Sequence, residues 1–272
     1  IKRQRLFLRT KVSYRRDGIR TLFGQPVRAV DLSCNQVEFV DDTVMDFDKL
    51  ILATGANPFM PPVPGVELDG IYSFKTMADT DRIAAHQGAK AVVVGSGPIG
   101  MEAAIALKKK GYEVSLIELL GWVLPRVFDE PAARRLATVL EENGIAVYTG
   151  DRVLHFLGNG KVESVITDKR KLPCDLVIMA AGIRPEVSLA KNAGIALGKL
   201  GGIATNSEMK TSNPDVFACG DCVENVERIS QRPFMCMLWP NAQAQGLVAG
   251  YNALGLPPKF PGSHNITAVH AF

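Results

Sequence analysis

The sequence predicts an α/β protein built on a dinucleotide-binding βαβ unit, and three observations in residues 90–118, KAVVVGSGPIGMEAAIALKKKGYEVSLIE, carry that prediction. The valine-rich run from Ala91 to Val94 has the composition of a strand buried on both faces. Gly95-Ser96-Gly97-Pro98-Ile99-Gly100 follows at once and leads into apolar residues at helical spacing, Ile99, Ala103, Ala104 and Leu107. A second strand, Glu113 to Ile117, ends on Glu118, eighteen residues beyond Gly100. That is close to the spacing of about 20 expected for an acid that binds a ribose 2′-OH.

Each glycine of the turn has a physical reason. Gly95 permits the tight turn, Gly97 lets backbone approach a pyrophosphate, and Gly100 lets helix and strand pack closely. Pro98 and Ile99 open the helix, whose N-terminal N–H groups face the phosphates. Gly111 closes it, with Lys108, Lys109 and Lys110 in the last turn, where cations suit the helix dipole. A glycine-rich turn alone is common; this one lies between strand and helix, with an acid closing the next strand. The carboxylate of Glu118 would repel a 2′-phosphate, so the pattern favours NAD over NADP.

The remaining chain is consistent with an α/β protein of more than one domain. Its 272 residues suffice for two domains, and 47% hydrophobic with 22% charged residues is ordinary for a globular chain. A net charge of +3 is too small to imply nucleic acid or an anionic membrane surface, and no apolar run approaches a membrane span. Five irregularly spaced cysteines suggest a reducing compartment, with the cytoplasm as the expected location. The chain begins with Ile1 and stops at Phe272 in mid-pattern, as a fragment would.

In order, residues 3–16 read as an amphipathic helix, 19–23 and 27–30 as short strands, and 37–40 with 44–47 as a hairpin around Asp41-Asp42, a solvated turn rather than a metal site. A strand at 50–53 ends in Thr54-Gly55 and is followed by a proline-rich crossing, 58–65. Helices are expected at 79–86, at 130–143 behind the cap Asp129, and at 241–254 behind Pro240. Further strands are expected at 145–148, at 153–156 paired with 162–167, at 174–181, within 201–209, and at 216–218 before the turn Cys219-Gly220-Asp221-Cys222. No partner for residues 257–272 is evident.

Three separated stretches then coincide: Leu52-Ala53-Thr54-Gly55 after a strand, the dinucleotide unit, and Val216 to Asp221. Leu124-Pro125 with Asp129, Gly182-Ile183-Arg184-Pro185, and Trp239-Pro240-Asn241 with Gln245-Gly246 fall in the same order. Together they resemble the FAD- and NAD(P)-dependent pyridine nucleotide–disulfide oxidoreductase family, in the branch holding NADH oxidases, coenzyme A disulfide reductases and nitrite reductase flavin domains. The resemblance implies two nested dinucleotide-binding, Rossmann-like lobes: an FAD lobe over 1–85 and 206–255, an NAD lobe over 86–205, and the start of an interface domain over 256–272. It implies that Ala53, Thr54 and Gly55 lie beside FAD, that Gly220 and Asp221 meet its ribityl chain, and that the helix at Asn241 points at the flavin ring. Glu102 matches an acid near the nicotinamide–flavin contact, with an exposed helix glutamate as the plain alternative, and Gly182 matches a backbone contact on the nicotinamide side.

The implied activity is NADH-dependent flavoprotein oxidoreduction, with a disulfide, dioxygen or a rubredoxin- or ferredoxin-like protein as acceptor, in a homodimer when complete. The alternative is a non-catalytic NAD- or FAD-binding subunit of an electron-transfer assembly. A flavin-free Rossmann dehydrogenase fits less well, since neither Tyr-x-x-x-Lys nor a histidine acid is evident. The family's first FAD-binding unit, with its own GxGxxG, and the redox cysteine after it are not in these residues, so the FAD lobe is expected to be incomplete. Cys219 and Cys222 form a C-x-x-C, which elsewhere means redox chemistry or half a zinc site; superposed on the Gly-Asp flavin motif it reads as packing. Cys34, Cys174 and Cys236 are scattered, and His86, His155, His264 and His270 show no ligand spacing.

Overall fold

The structure is a computed structural model that describes residues 6–266, 268, 271 and 272. Contacts divide the chain into two compact units, Ile1–Thr54 with Val187–Gly262 and Gly55–Glu186 with Ser263–Phe272. The first unit is therefore discontinuous, and the second interrupts it.

The first unit opens with a short helix, α1 (Lys11–Arg16), which Thr10 caps by accepting from the Ser13 N–H at 3.2 Å. The longer helix expected from residue 3 lies partly outside the described residues; Leu6 to Leu8 are exposed, with no core to hold them helical. Residues 19–23 are not a strand either, because among the described residues no strand pairs with them. An antiparallel meander follows, β1 (Val27–Asp31), β2 (Gln36–Phe39) and β3 (Val44–Asp46). Its turn is set by Asp41, whose Oδ1 accepts from the N–H and hydroxyl of Thr43, with Asp42 at φ 65°. Next comes β4 (Leu50–Leu52).

The second unit begins with β5 (Ala56–Pro58) and β6 (Ile71–Ser73). Helix α2 (Met77–Ala85) starts at Thr76, which forms a capping box with Asp79. The dinucleotide-type unit appears as the pattern requires: β7 (Lys90–Val94), α3 (Pro98–Lys109) and β8 (Glu113–Ile117). Helix α4 (Glu130–Glu142) is capped by Asp129, and β9 (Ile145–Tyr148) returns to the sheet. A second antiparallel meander, β10 (Val153–Leu157), β11 (Ser164–Thr167) and β12 (Lys171–Pro173), leads to β13 (Leu176–Met179). The ribbon β14 (Ile183–Pro185) then pairs antiparallel with β5.

Strands β6, β13, β7, β8 and β9 form one parallel sheet in that spatial order. On one face α3 and α4 bury Met101, Ala104, Ala133 and Leu140 against Val93, Leu116 and Ile178. On the other, Phe156 and Val165 of the meander pack on Val92, Val177 and Met179. Burial on both faces explains why these strands read as unbroken apolar runs. Each fully buried large side chain contributes about 1.5–3 kcal/mol of transfer free energy. Ile99 departs from the expected apolar face; it is 49% exposed, while Met101 and Ile105 fill the core instead.

The chain re-enters the first unit through α5 (Ser188–Asn192) and the two-residue strand β15 (Ile203–Ala204). Strand β16 (Val216–Ala218) pairs parallel with β4, and β17 (Val223–Val226) pairs parallel with β15 and antiparallel with β18 (Pro233–Phe234). Helix α6 (Trp239–Ala253) packs on β4 and β16, burying Val248 and Ala249 with Leu52, Phe217 and Ile203. An ion pair between Lys49 and Asp215 joins the starts of β4 and β16.

The unit boundaries fall at 54/55 and 186/187, whereas the sequence suggests lobe boundaries at 85/86 and 205/206. The difference has a pairing cause. Residues 55–85 stay with the parallel sheet because β6 is its edge strand, and residues 187–205 join the first unit because β15 pairs with β17.

Candidate cofactor-binding sites

In the second unit, parallel pairing of β7, β8 and β13 brings their carboxyl ends to one edge of the sheet. The Gly95–Gly100 turn, Glu118 and Gly182 follow these three strand ends, at the edge where open α/β sheets bind ligands. Gly95 has φ 101°, and a Cβ there would lie 2.3 Å from the Ala180 carbonyl oxygen. At Gly100 a Cβ would fall 1.9 Å from the carbonyl oxygen of Gly95, so helix and turn close on each other only through glycine. Gly97 is the opposite case: nothing lies within 4 Å of where its Cβ would be. Tight glycines at either end and an open one between are what a phosphate-binding turn needs.

Helix caps point the same way. Side chains cap α2 and α4, from Thr76 and Asp129. No side chain caps α3, whose N-cap is Gly97, or α6, whose N-cap is Leu238, and both carry proline in the first turn. A helix start without a side-chain cap leaves its first amides to water or to a ligand such as an anion, and the short helix α5 is likewise uncapped.

Glu118 is only 8% exposed. Its Oε2 accepts from the Ser96 N–H at 2.9 Å and the Ser96 hydroxyl at 2.6 Å, and its Oε1 accepts from the Leu120 N–H at 2.9 Å. Glu102 is exposed one turn into α3. Gly182 has φ 109° with open space at its Cβ position, and its carbonyl oxygen accepts from the Phe59 N–H at 2.9 Å. Pro98 opens α3, and the exposed Ile99 sits beside it in the first turn.

In the first unit, β4 and β16 run parallel, so Ala53 and Thr54 after one share an edge with Gly220 and Asp221 after the other. The Cys219 N–H donates to the Leu52 carbonyl oxygen at 3.0 Å, which extends the pairing to the turn. Gly220, at φ 83°, donates its N–H to Gln245 Oε1 at 2.8 Å, tying the turn to α6. Gln245 is 2% exposed, and its anchoring part is visible only in the folded chain. Asn241, at the start of α6, is buried and donates from Nδ2 to Cys236 Sγ at 2.8 Å. Gly55, at φ 73°, is the first residue of the second unit.

Cys219 and Cys222 are buried free thiols. The Cys222 thiol donates to the Cys219 carbonyl oxygen at 3.3 Å. Burial, with Cys222 close by, pushes the Cys219 thiol up to about 11. A protonated thiol is neither nucleophile nor metal ligand at neutral pH. Among the described residues, no group of three or more His, Cys, Asp or Glu is placed to hold a metal ion, and no helix is long and apolar enough to cross a membrane.

Comparison with known proteins fits this arrangement. The family model described as "Pyridine nucleotide-disulphide oxidoreductase" matches residues 2–246, and the chain belongs to that family. It is 38% identical to an NADH oxidase of Methanocaldococcus jannaschii over 264 residues, covering 94% of this chain and 59% of that protein. A crystal structure of an FAD-dependent pyridine nucleotide-disulphide oxidoreductase from Desulfovibrio vulgaris superposes with a TM-score of 0.86 at 36% identity, covering 93% of this chain and 66% of that one. An NAD-dependent persulfide reductase from A. fulgidus superposes with a TM-score of 0.95 at 30% identity, covering 98% and 51%. The chain thus spans between half and two thirds of the length of these relatives.

Proposed function

We propose that this chain is the nucleotide-handling part of an FAD-dependent NADH oxidoreductase, with an NAD lobe centred on residues 86–186, an FAD lobe centred on 1–54 and 206–255, and 256–272 leading into an interface domain. The observation that carries the reading is the edge formed by Gly95, Gly97, Pro98, Ile99, Gly100 and Glu118, in a chain that also sets Ala53-Thr54 beside Gly220-Asp221 at the ends of parallel strands. Gly97 and the uncapped start of α3 take the pyrophosphate of NADH, and Glu118 takes its adenosine ribose. Gly182 and Glu102 serve the nicotinamide side. Thr54, Gly55, Gly220 and Asp221 border the isoalloxazine and ribityl parts of FAD, and the start of α6 at Asn241 offers the positive end of a helix to a reduced ring. Bound flavin supplies the two-electron relay between the nicotinamide hydride and an acceptor: a disulfide, dioxygen or a small iron protein. A cytoplasmic homodimer is the expected setting. A non-catalytic NAD- or FAD-binding subunit is the second reading.

The test is anaerobic titration of the flavin-loaded protein with NADH, read at the flavin band near about 450 nm. Bleaching with one NADH per flavin supports the oxidoreductase. Tight NADH binding without bleaching supports the binding subunit.

A further inference from the structure

Ser96 occupies a non-glycine position of the glycine-rich turn, yet it is 0% exposed and makes more hydrogen bonds than any glycine around it. Its Oγ accepts from the Leu124 N–H at 3.2 Å, and its carbonyl oxygen accepts from the same N–H. A serine hydroxyl has a single proton. With Leu124 on the acceptor side, that proton is directed to Glu118 Oε2, 2.6 Å away. Leu124 itself sits at φ 49°, in the left-handed region that disfavours a leucine, so its amide is held in place by these contacts. One side chain therefore joins three segments: the turn after β7, the acid after β8, and the bend at Leu124-Pro125.

The acceptor count at Glu118 follows from this. A carboxylate offers about four lone-pair positions. Ser96 fills two on Oε2 and the Leu120 N–H fills one on Oε1, which leaves one position, on Oε1, for a ligand.

We propose that Ser96 is a positioning residue for cofactor choice, holding the Glu118 carboxylate so that it presents Oε1 to the ribose 2′-OH and stays facing a 2′-phosphate. The inference rests on the reading of Glu118 as the ribose-binding acid. A 2′-OH donates to the remaining acceptor position; a 2′-phosphate meets a carboxylate that two bonds from Ser96 keep from rotating aside. Loss of the hydroxyl leaves only the Ser96 N–H on Oε2, and the carboxylate gains freedom to turn.

Calorimetric titration of the full chain with NADH and with NADPH tests this, using Ser96→Ala, Glu118→Ala and the double variant. Ser96→Ala is expected to weaken NADH by about tenfold and NADPH by clearly less, narrowing the preference, as loss of a hydrogen bond to a charged group does. In the Glu118→Ala background the same change is expected to alter either affinity by no more than about twofold, because its partner is gone. Ser96→Cys keeps a weaker donor of similar shape; its expected preference is intermediate, and it serves if Ser96→Ala does not fold. An unchanged NADH-to-NADPH ratio in Ser96→Ala, or in Ser96→Cys when that variant stands in, overturns the assignment. So does an undiminished effect without Glu118, which would place Ser96's role in the turn itself. A wild-type chain that binds both dinucleotides equally, or neither, overturns the reading of Glu118 as well.

Discussion

The chemistry of single residues here is governed by burial as much as by residue type. Cys174 is 3% exposed, and burial, with Asp175 adjacent, pushes its thiol up from 9.0 to about 12. Cys219 rises to about 11 through burial and then Cys222. In each case the folded chain holds the proton that the unfolded chain releases near pH 9, so the folded state loses ground as pH rises. The stabilisation is complete below the unfolded pKa and is lost through the folded one. Denaturant midpoints are therefore expected to fall between about pH 9 and 12, and to fall less steeply in Cys174→Ala. An equal slope in the variant would assign the alkaline loss to other groups. The exposed Cys34 is expected to react with thiol reagents in the native protein well before the four buried cysteines.

Among the elements, side-chain caps set α1, α2 and α4 apart from α3, α5 and α6, which have none. Asp129 accepts from the Ala132 N–H at 3.1 Å and fixes the start of α4. Asp129→Ala is expected to cost about 1 kcal/mol of stability, the usual loss for an N-cap, while leaving NADH affinity unchanged. Chemical denaturation and calorimetry on the same variant check both parts. Helix α3 has no such cap to remove, its N-cap being Gly97. The two meanders show a second regularity: β1-β2-β3 leads into β4, and β10-β11-β12 leads into β13, so each unit places an antiparallel sheet ahead of a parallel strand. Residues 171–173, three residues with lysine and proline, carry no strand period; pairing with β11 makes them a strand.

For the whole molecule the two proposed sites rest on different features: the NAD reading on the glycine-rich turn after β7, the flavin reading on the strand ends at Thr54 and Asp221. The protein is therefore expected to bind NADH as purified and to retain FAD at well under one per chain after gel filtration, read from the ratio of flavin to protein absorbance. Stoichiometric retention would show that the edge at Thr54 and Asp221 suffices without a second phosphate cradle. Intact mass, against 29.4 kDa, reports on the same sample whether further chain is attached.

What the sequence by itself determined is the local chemistry. The strand–turn–helix–strand unit from 90 to 118, the cap at Asp129, the glycine closing α3 and the Gly-Asp turn all depend on neighbours within a few turns of chain, and each is legible where it occurs. Tertiary structure alone decided which strands lie side by side, and hence that 55–85 belong with the second unit and 187–205 with the first. It also decided that Ile99 faces outward, that Ser96 and Gln245 anchor Glu118 and Gly220, and that the paired cysteines are core thiols. Those outcomes turn on residues twenty or more positions apart meeting in space, a pairing that no period or spacing in the chain encodes.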